Sequence, residues 1–338
     1  SEDRKQDKYY QKISNLGKEF RAFHNWFKSC LIYIHCGKQK LGKKGKLVKR
    51  DVLDFGCGRG GDFLKFYSAR VKFYVGIDVM YEDLNSTTNG AIGRYNQHKK
   101  RYPDFTDMVF IQSDAAVPFS SKEQIKRFPN LSSKDKSNLD KIFTKDRKFD
   151  TITSMFSIHY LFRNNISVNN LIENVNNYLR KGGVLVCTLF NPQRIEKLLD
   201  GKKSYTSSYT DEEGKKKKLF EIVKKYDKLD DKPGLPIDVY MGWISEENVY
   251  LEEYVVTEKL LTETMKKAGC LLVDHDSFSN VYHLNKPWFH NVIEYEENPL
   301  NKKFYQNVSK FFYDMKGPSK DTRAWSFLFD YYVYQKIE

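Results

Sequence analysis

Between residues 51 and 190 the chain repeats one rhythm, a short apolar run followed by an amphipathic stretch, and that rhythm leaves few folds open. DVLDFG, VKFYVGID, MVFIQSD, FDTITSMFS and GVLVCTLF read as strands. DFLKFYSA, MYEDLNSTTNGAIGRYNQHKKRY and LIENVNNYLRKGG read as mostly helical, the last stopping at its paired glycines. Strands separated by helices pair in parallel through crossovers and are covered on both faces. The expectation is an α/β fold with a doubly wound sheet.

The flanks read differently. Leu16, Phe20, Phe23, Phe27, Leu31 and Ile34 form one apolar stripe, predicting a helix over 12–36, with Arg21, His24, Asn25 and Lys28 sharing another face. KQKLGKKGKLVKR (38–50) reads as a basic, solvated connector. KSYTSSYTDEEGKKKK (203–218) reads as a mobile loop, LFEIVKKYD and IDVYMGWIS as antiparallel strands, and VTEKLLTETMKKAG as a helix. CLLVDHDSF and the aromatic WSFLFDYYVYQKI read as strands. No repeat or long linker divides the chain, so one domain is expected over 1–338: an N-terminal helix and connector (1–50), a core (51–200), an insertion (201–256) and a completion of the sheet (257–338). The chain opens with Ser rather than Met, as in a processed chain or a domain taken from something longer.

Lys and Arg number 57 against 44 Asp and Glu, a net charge of +13, which points to an anionic partner. The five cysteines lack CxxC spacing, so neither a disulfide framework nor a metal site is indicated. No apolar run reaches the roughly 18 residues of a membrane span, and no membrane partner is expected.

DFGCGRGGD (54–62) joins the first strand to the first helix. Gly56, Gly58 and Gly61 fit the GxGxxG dinucleotide spacing, with Asp78 where a ribose-binding acid would stand, so a nicotinamide-dependent oxidoreductase is one reading. The flanking acids oppose it. A pyrophosphate seated on the helix N-terminus would meet Asp54 and Asp62, each contact costing about 3 kcal/mol at about 5 Å and an effective dielectric near 20. S-adenosylmethionine reverses the sign, because it carries an ammonium group, a sulfonium and a ribose diol but no phosphate. Asp54 would attract the ammonium, Asp78 would accept the ribose hydroxyls, and Asp114, at the end of the third strand, would accept the adenine amino group. Asp150, at the opposite end of the sheet, reads as structural.

HNWFKS (24–29), VLDFGCGRGGDFLKF (52–66), YVGID (74–78), FDTITSMFSIHYLF (149–162) and LEEYVV (251–256) together resemble the motifs of mRNA cap guanine-N7 methyltransferases, over the span from about residue 20 to the last strand. The resemblance implies a Rossmann-like methyltransferase sheet with an N-terminal helical extension and a cap-binding insertion after the fifth strand, and S-adenosylmethionine as methyl donor. It implies that Lys28 meets the methionine carboxylate, that Asp54, Gly56, Gly58, Asp78 and Asp114 hold the rest of the donor, and that Phe156 and Ser157 line it by backbone contact. On the cap side it implies Arg59 near the phosphates, His24, His159 and Tyr160 in the pocket, and Glu253 on the guanine edge. The sequence departs from the family pattern at His24, often Asn, at Met155, often Gln, at Ala116, where an aromatic can occur, and at Phe190, near a family proline. The C-terminal cap-contacting tyrosine is left open among Phe329, Tyr331, Tyr332 and Tyr334.

Guanine N7 offers an in-plane lone pair and no proton, so transfer to it needs no general base, and no acid–base constellation stands out in the sequence. Orientation by His159, Tyr160 and Glu253 would carry the rate. The implied partners are the capped 5′ end of mRNA and other capping-enzyme domains or a stimulatory subunit, with a cytoplasmic location for a large DNA virus and a nuclear one for a cell. A second reading is a methyltransferase-like RNA-binding or stimulatory subunit with weak catalysis.

Overall fold

The computed structural model describes residues 16–41 and 43–338, so the expected first turn at 12–15 lies outside the described residues. The chain divides into two compact units. One holds the described residues up to Lys28 with Phe190–Thr257 and Asp276–Tyr331; the other holds Ser29–Leu189, Glu258–His275 and Tyr332–Glu338.

The second unit contains the alternating region. A ribbon of β1 (Gln39–Leu41) and β2 (Lys46–Val48) precedes β3 (Asp51–Phe55), β4 (Phe73–Asp78), β5 (Asp107–Gln112), β6 (Phe149–Met155) and β7 (Leu179–Phe190). These last five run in the order β7-β6-β3-β4-β5 with parallel registers, as expected for a doubly wound sheet. Ile32, Cys36, Val52, Phe63, Phe66, Tyr74 and Phe110 pack into one buried cluster beneath it, each full apolar burial contributing roughly 1.5–3 kcal/mol. Ile32 and Cys36 replace Ile34, which is 65% exposed, because the buried face of helix Lys18–Cys36 turns toward this cluster over its last turn.

One expectation is corrected here and one is refined. The helix Asn165–Tyr178 ends before the paired glycines, and RKGG instead forms a bulge inside β7 between Leu179, opposite Phe149, and Val184, opposite Thr151. MYEDLNSTTNGAIGRYNQHKKRY forms two helices, Tyr81–Asn85 and Ala91–Arg101, divided at STTNG.

In the first unit, β8 (Ser204–Thr210), β9 (Lys216–Lys224), β10 (Pro236–Met241) and β11 (Leu251–Tyr254) form an antiparallel sheet, the insertion after the fifth strand. The segment 203–218 is therefore a hairpin rather than a mobile loop. Its turn is stitched by Asp211 Oδ1, which accepts from the N–H groups of Glu213 (3.0 Å) and Lys215 (2.8 Å). Its polar, lysine-rich sequence hid β8 and the first residues of β9, whose later part, read as a strand in LFEIVKKYD, buries Phe220 and Ile222. The unit's core is aromatic: Phe23 stacks on Phe311 at 4.6 Å and Tyr282 on Phe312 at 4.8 Å, the partners coming from helices Phe278–Tyr295 and Pro299–Tyr313.

Two further strands, β12 (Cys270–Ser277) and β13 (Phe329–Lys336), extend the central sheet beyond β7 to seven strands. The start of the expected terminal strand, around Trp325 and Ser326, is helical over Thr322–Ser326. Among the described residues no helix is long and apolar enough to cross a membrane.

Candidate functional site

The strand order reverses between β3 and β6, and an open parallel sheet leaves a crevice at the carboxyl ends of its strands where such a reversal occurs. Asp54 to Gly58 and Phe156 to Ser157 lie at those ends. Gly56 (φ +77°) and Gly58 (φ +56°) take left-handed backbone that other residues adopt at a cost. The N–H groups of Gly56 and Cys57 both bond to Ile77 O at 2.9 and 3.0 Å, drawing the loop over the end of β4. A Cβ on Gly56 would lie 2.7 Å from Ser157 Cβ. Ser157 Oγ donates to Phe55 O at 2.7 Å and lies 2.7 Å from Ser154 Oγ, so the glycine loop and the MFS turn interlock.

Asp78 fits the loop by receiving it. Its Oδ2 accepts from Gly58 N–H at 2.8 Å and its Oδ1 from Met80 N–H at 2.9 Å. Burial pushes its carboxyl above the ordinary value, against the pull of those two donors. Asp54 is 7% exposed and accepts from Tyr74 Oη at 2.5 Å and Thr153 Oγ1 at 2.8 Å. Phe156 holds φ +57°, rare for a side chain of its size and costing about 1–3 kcal/mol. Its N–H is fixed by Thr188, through Oγ1 at 2.8 Å and the carbonyl at 3.1 Å.

Tyr74, Thr153 and Thr188 are residues the motif reading missed. The signal existed in register: Thr153 is the residue directly opposite Asp54 on β6, a hydroxyl in an otherwise apolar run. Tyr74 carried no such mark, since a tyrosine in a strand is ordinarily core.

Two other site candidates and one of the loop's flanking acids are already engaged. Asp114 is 1% exposed; its Oδ1 accepts from Ala116 N–H at 2.8 Å, and its Oδ2 meets Arg163 Nη2 at 2.8 Å and Arg127 Nε at 3.2 Å. An adenine amino group would share a carboxylate that two guanidinium groups already hold. Arg59 turns toward the segment after β4, pairing with Asp83 at 3.1 Å and donating to Asn89. Asp62 pairs with Lys65 at 2.8 Å, so its charge is partly neutralised. His159 is buried in a 3-10 turn, Ile158–Phe162, with its ring 4.1 Å from that of Tyr160. Among the described residues no group of three His, Cys, Asp or Glu side chains could hold a metal ion.

Lys28, His24 and Glu253 belong to the first unit. His24 is not on a solvated face with Lys28: it is 8% exposed, ringed edge-on by Phe20, Phe278 and Phe329, with Nε2 2.7 Å from Ser326 Oγ. Burial, and then the charge of Lys28, lower its pKa from the ordinary 6.5 to about 3. The neutral ring therefore stabilises the fold fully above pH 6.5, and that contribution is lost as pH falls through 6.5 toward 3. At pH 5 the loss is about 2 kcal/mol. His24→Asn is expected to flatten the fall in melting temperature between pH 7 and pH 5; parallel curves for the variant and the parent would refute this.

Glu253 faces Ile237 across β11 and β10, and strand alternation puts it on the same side as Val239, Ile222 and Phe220. All four of those residues are fully buried, Lys224 and Ser207 share the side with them, and Glu253 itself is 6% exposed. It is therefore not a surface charge beside Glu252.

The model of the mRNA (guanine-N(7))-methyltransferase domain matches residues 2–337. The chain is 37% identical over 312 residues to a probable mRNA-capping enzyme of Acanthamoeba polyphaga mimivirus, covering 91% of this chain and 26% of that protein. It is 34% identical over 198 residues to an mRNA cap guanine-N(7) methyltransferase of Cryptococcus neoformans, covering 56% of this chain and 24% of that one. The chain thus spans about a quarter of the length of these relatives. Among solved structures, an S-adenosylmethionine-dependent methyltransferase from Clostridium acetobutylicum aligns over 98% of both chains with TM-score 0.47 and 14% identity.

Proposed function

The chain belongs to the mRNA (guanine-N(7))-methyltransferase family, and we propose that it transfers the methyl group of S-adenosylmethionine to guanine N7 of the cap at the 5′ end of mRNA. The observation that carries this reading is the glycine loop at the strand reversal, with Asp54 and Asp78 at its two sides. That arrangement suits a ligand with a cationic amino group and a ribose diol and disfavours a pyrophosphate. Family membership sets the nicotinamide reading aside.

S-adenosylmethionine supplies a methyl group activated by its sulfonium, and the guanine accepts it on a lone pair with no proton to remove. The protein's work is orientation, which can recover roughly 7–11 kcal/mol of a bimolecular barrier. Asp54 would draw in the ammonium, the two remaining acceptor directions of Asp78 would take the ribose hydroxyls, and Lys28 would meet the carboxylate. Glu253 would match the two N–H donors of the guanine edge, which adenine lacks. His159 and Tyr160 would line the cap, Arg59 would meet its phosphates, and the net charge of +13 would favour the RNA that follows. Since these relatives are longer, other capping-enzyme domains or a stimulatory subunit are proposed as partners.

The test is transfer from methyl-labelled S-adenosylmethionine to RNA beginning GpppG, with the N7-methylated cap as control. Label is expected on the first RNA alone. Equal labelling of both would remove the N7 assignment, and labelling of neither would favour an RNA-binding subunit.

A further inference from the structure

Asp54 is a carboxylate in a place hostile to carboxylates. It lies on the central strand β3, buried, and an isolated charge there would shed its ionisation rather than persist. Two side chains from the two neighbouring strands answer this. Tyr74 on β4 donates to Oδ2 at 2.5 Å and Thr153 on β6 donates to Oδ1 at 2.8 Å, both donors being fully buried. One donor on each oxygen fixes the plane of the carboxylate and stabilises its anion.

The tyrosine reaches Asp54 because its strand makes room. Gly76, directly opposite Asp54, has no side chain, and a Cβ there would lie 2.9 Å from Tyr74 Cε1 and 2.9 Å from Cys57 Sγ. Tyr74 sits two residues earlier on the same face of β4, and its ring passes over that gap. Burial, and then the charge of Asp54, push the phenol well above its ordinary range, so it stays a donor at every working pH.

We propose that Tyr74 and Thr153 are positioning residues that hold Asp54 as an aimed anion, and that the preference of this site for a donor bearing a charged amino group depends on them. The inference rests on the S-adenosylmethionine reading above. It adds a specificity device: Asp54 supplies the charge, and the two hydroxyls keep it charged and directed.

The experiment compares two ligands by calorimetric titration, S-adenosylhomocysteine and its deaminated analogue, which keeps the thioether, carboxylate and adenosine. Tyr74→Phe and Thr153→Val are each expected to weaken S-adenosylhomocysteine by roughly tenfold to a hundredfold, the range for a hydrogen bond to a charged group. The analogue should bind both variants as it binds the parent, and Thr153→Ser should restore binding. Equal weakening of both ligands would mean a merely structural role and overturn the proposal, as would unchanged binding of both. Should Tyr74→Phe fail to fold, the Thr153→Val and Thr153→Ser pair decides alone. If the parent binds neither ligand, the methyl-donor reading itself has failed, an outcome separate from these.

Discussion

Gly56→Ala is expected to lower affinity for S-adenosylmethionine by about a hundredfold or more, Gly58→Ala by about tenfold, and Gly61→Ala by less than about twofold. The ranking follows from two separate costs. At Gly56 the new methyl would lie 2.7 Å from Ser157 Cβ and 2.8 Å from its Oγ, and Ser157 cannot retreat without releasing Phe55 O. That overpacking costs about 1–3 kcal/mol, and holding φ +77° with a Cβ adds about 1–2 kcal/mol. The loop escapes by lifting, which breaks the bonds of Gly56 and Cys57 to Ile77 and misplaces the Gly58 N–H that aims Asp78. At Gly58 the Cβ would meet nothing within 4 Å, so only the left-handed backbone is penalised. At Gly61 the space is open and the backbone ordinary. Each tenfold is about 1.4 kcal/mol, so Gly56 and Gly58 separate by about one decade in a titration with S-adenosylhomocysteine. Equal losses at Gly56 and Gly61 would show that the motif's spacing, rather than the contact with Ser157, governs the loop.

The parallel core was legible because its strands are short apolar runs cut by helices, and the place of the glycine loop at the sheet's carboxyl edge because its glycines follow directly on the first of those strands. What was not legible has physical causes. β8 and the first three residues of β9 were hidden by polar, lysine-rich sequence, although LFEIVKKYD already read as a strand, since a residue's charge says nothing about backbone geometry when its side chain points to water. His24 looked polar on a helix wheel and is enclosed by aromatic rings drawn from segments some 250 to 300 residues away, a neighbourhood no local pattern records. Arg127 and Arg163 reach Asp114 for the same reason: an ion pair spanning 49 residues leaves no trace in spacing. Thr153 was accessible in principle, because parallel register sets it opposite Asp54, but that register is fixed only once the strand order is known.

Glu253→Ala and Glu253→Gln are both expected to cut kcat/KM for capped RNA by about two to three decades while leaving S-adenosylmethionine affinity unchanged. Glu253 is 6% exposed, a carboxylate held at a buried place on β11. The guanine edge presents N1–H and N2–H side by side, and two charge-assisted hydrogen bonds at about 1.5–3 kcal/mol each account for the expected loss. The glutamine variant carries the argument. It has nearly the shape of glutamate, so a residue needed only for packing would survive the change with activity intact. A residue that reads guanine would not, since the amide turns one of its two acceptors into a donor facing a donor. The loss of negative charge acts in the same direction, because the guanine gains positive charge as N7 takes the methyl group. None of the residues proposed for the methyl donor lies on β11, so donor binding should be spared. Wild-type activity in Glu253→Gln, or donor affinity falling in step with turnover, would remove Glu253 from the recognition of the cap.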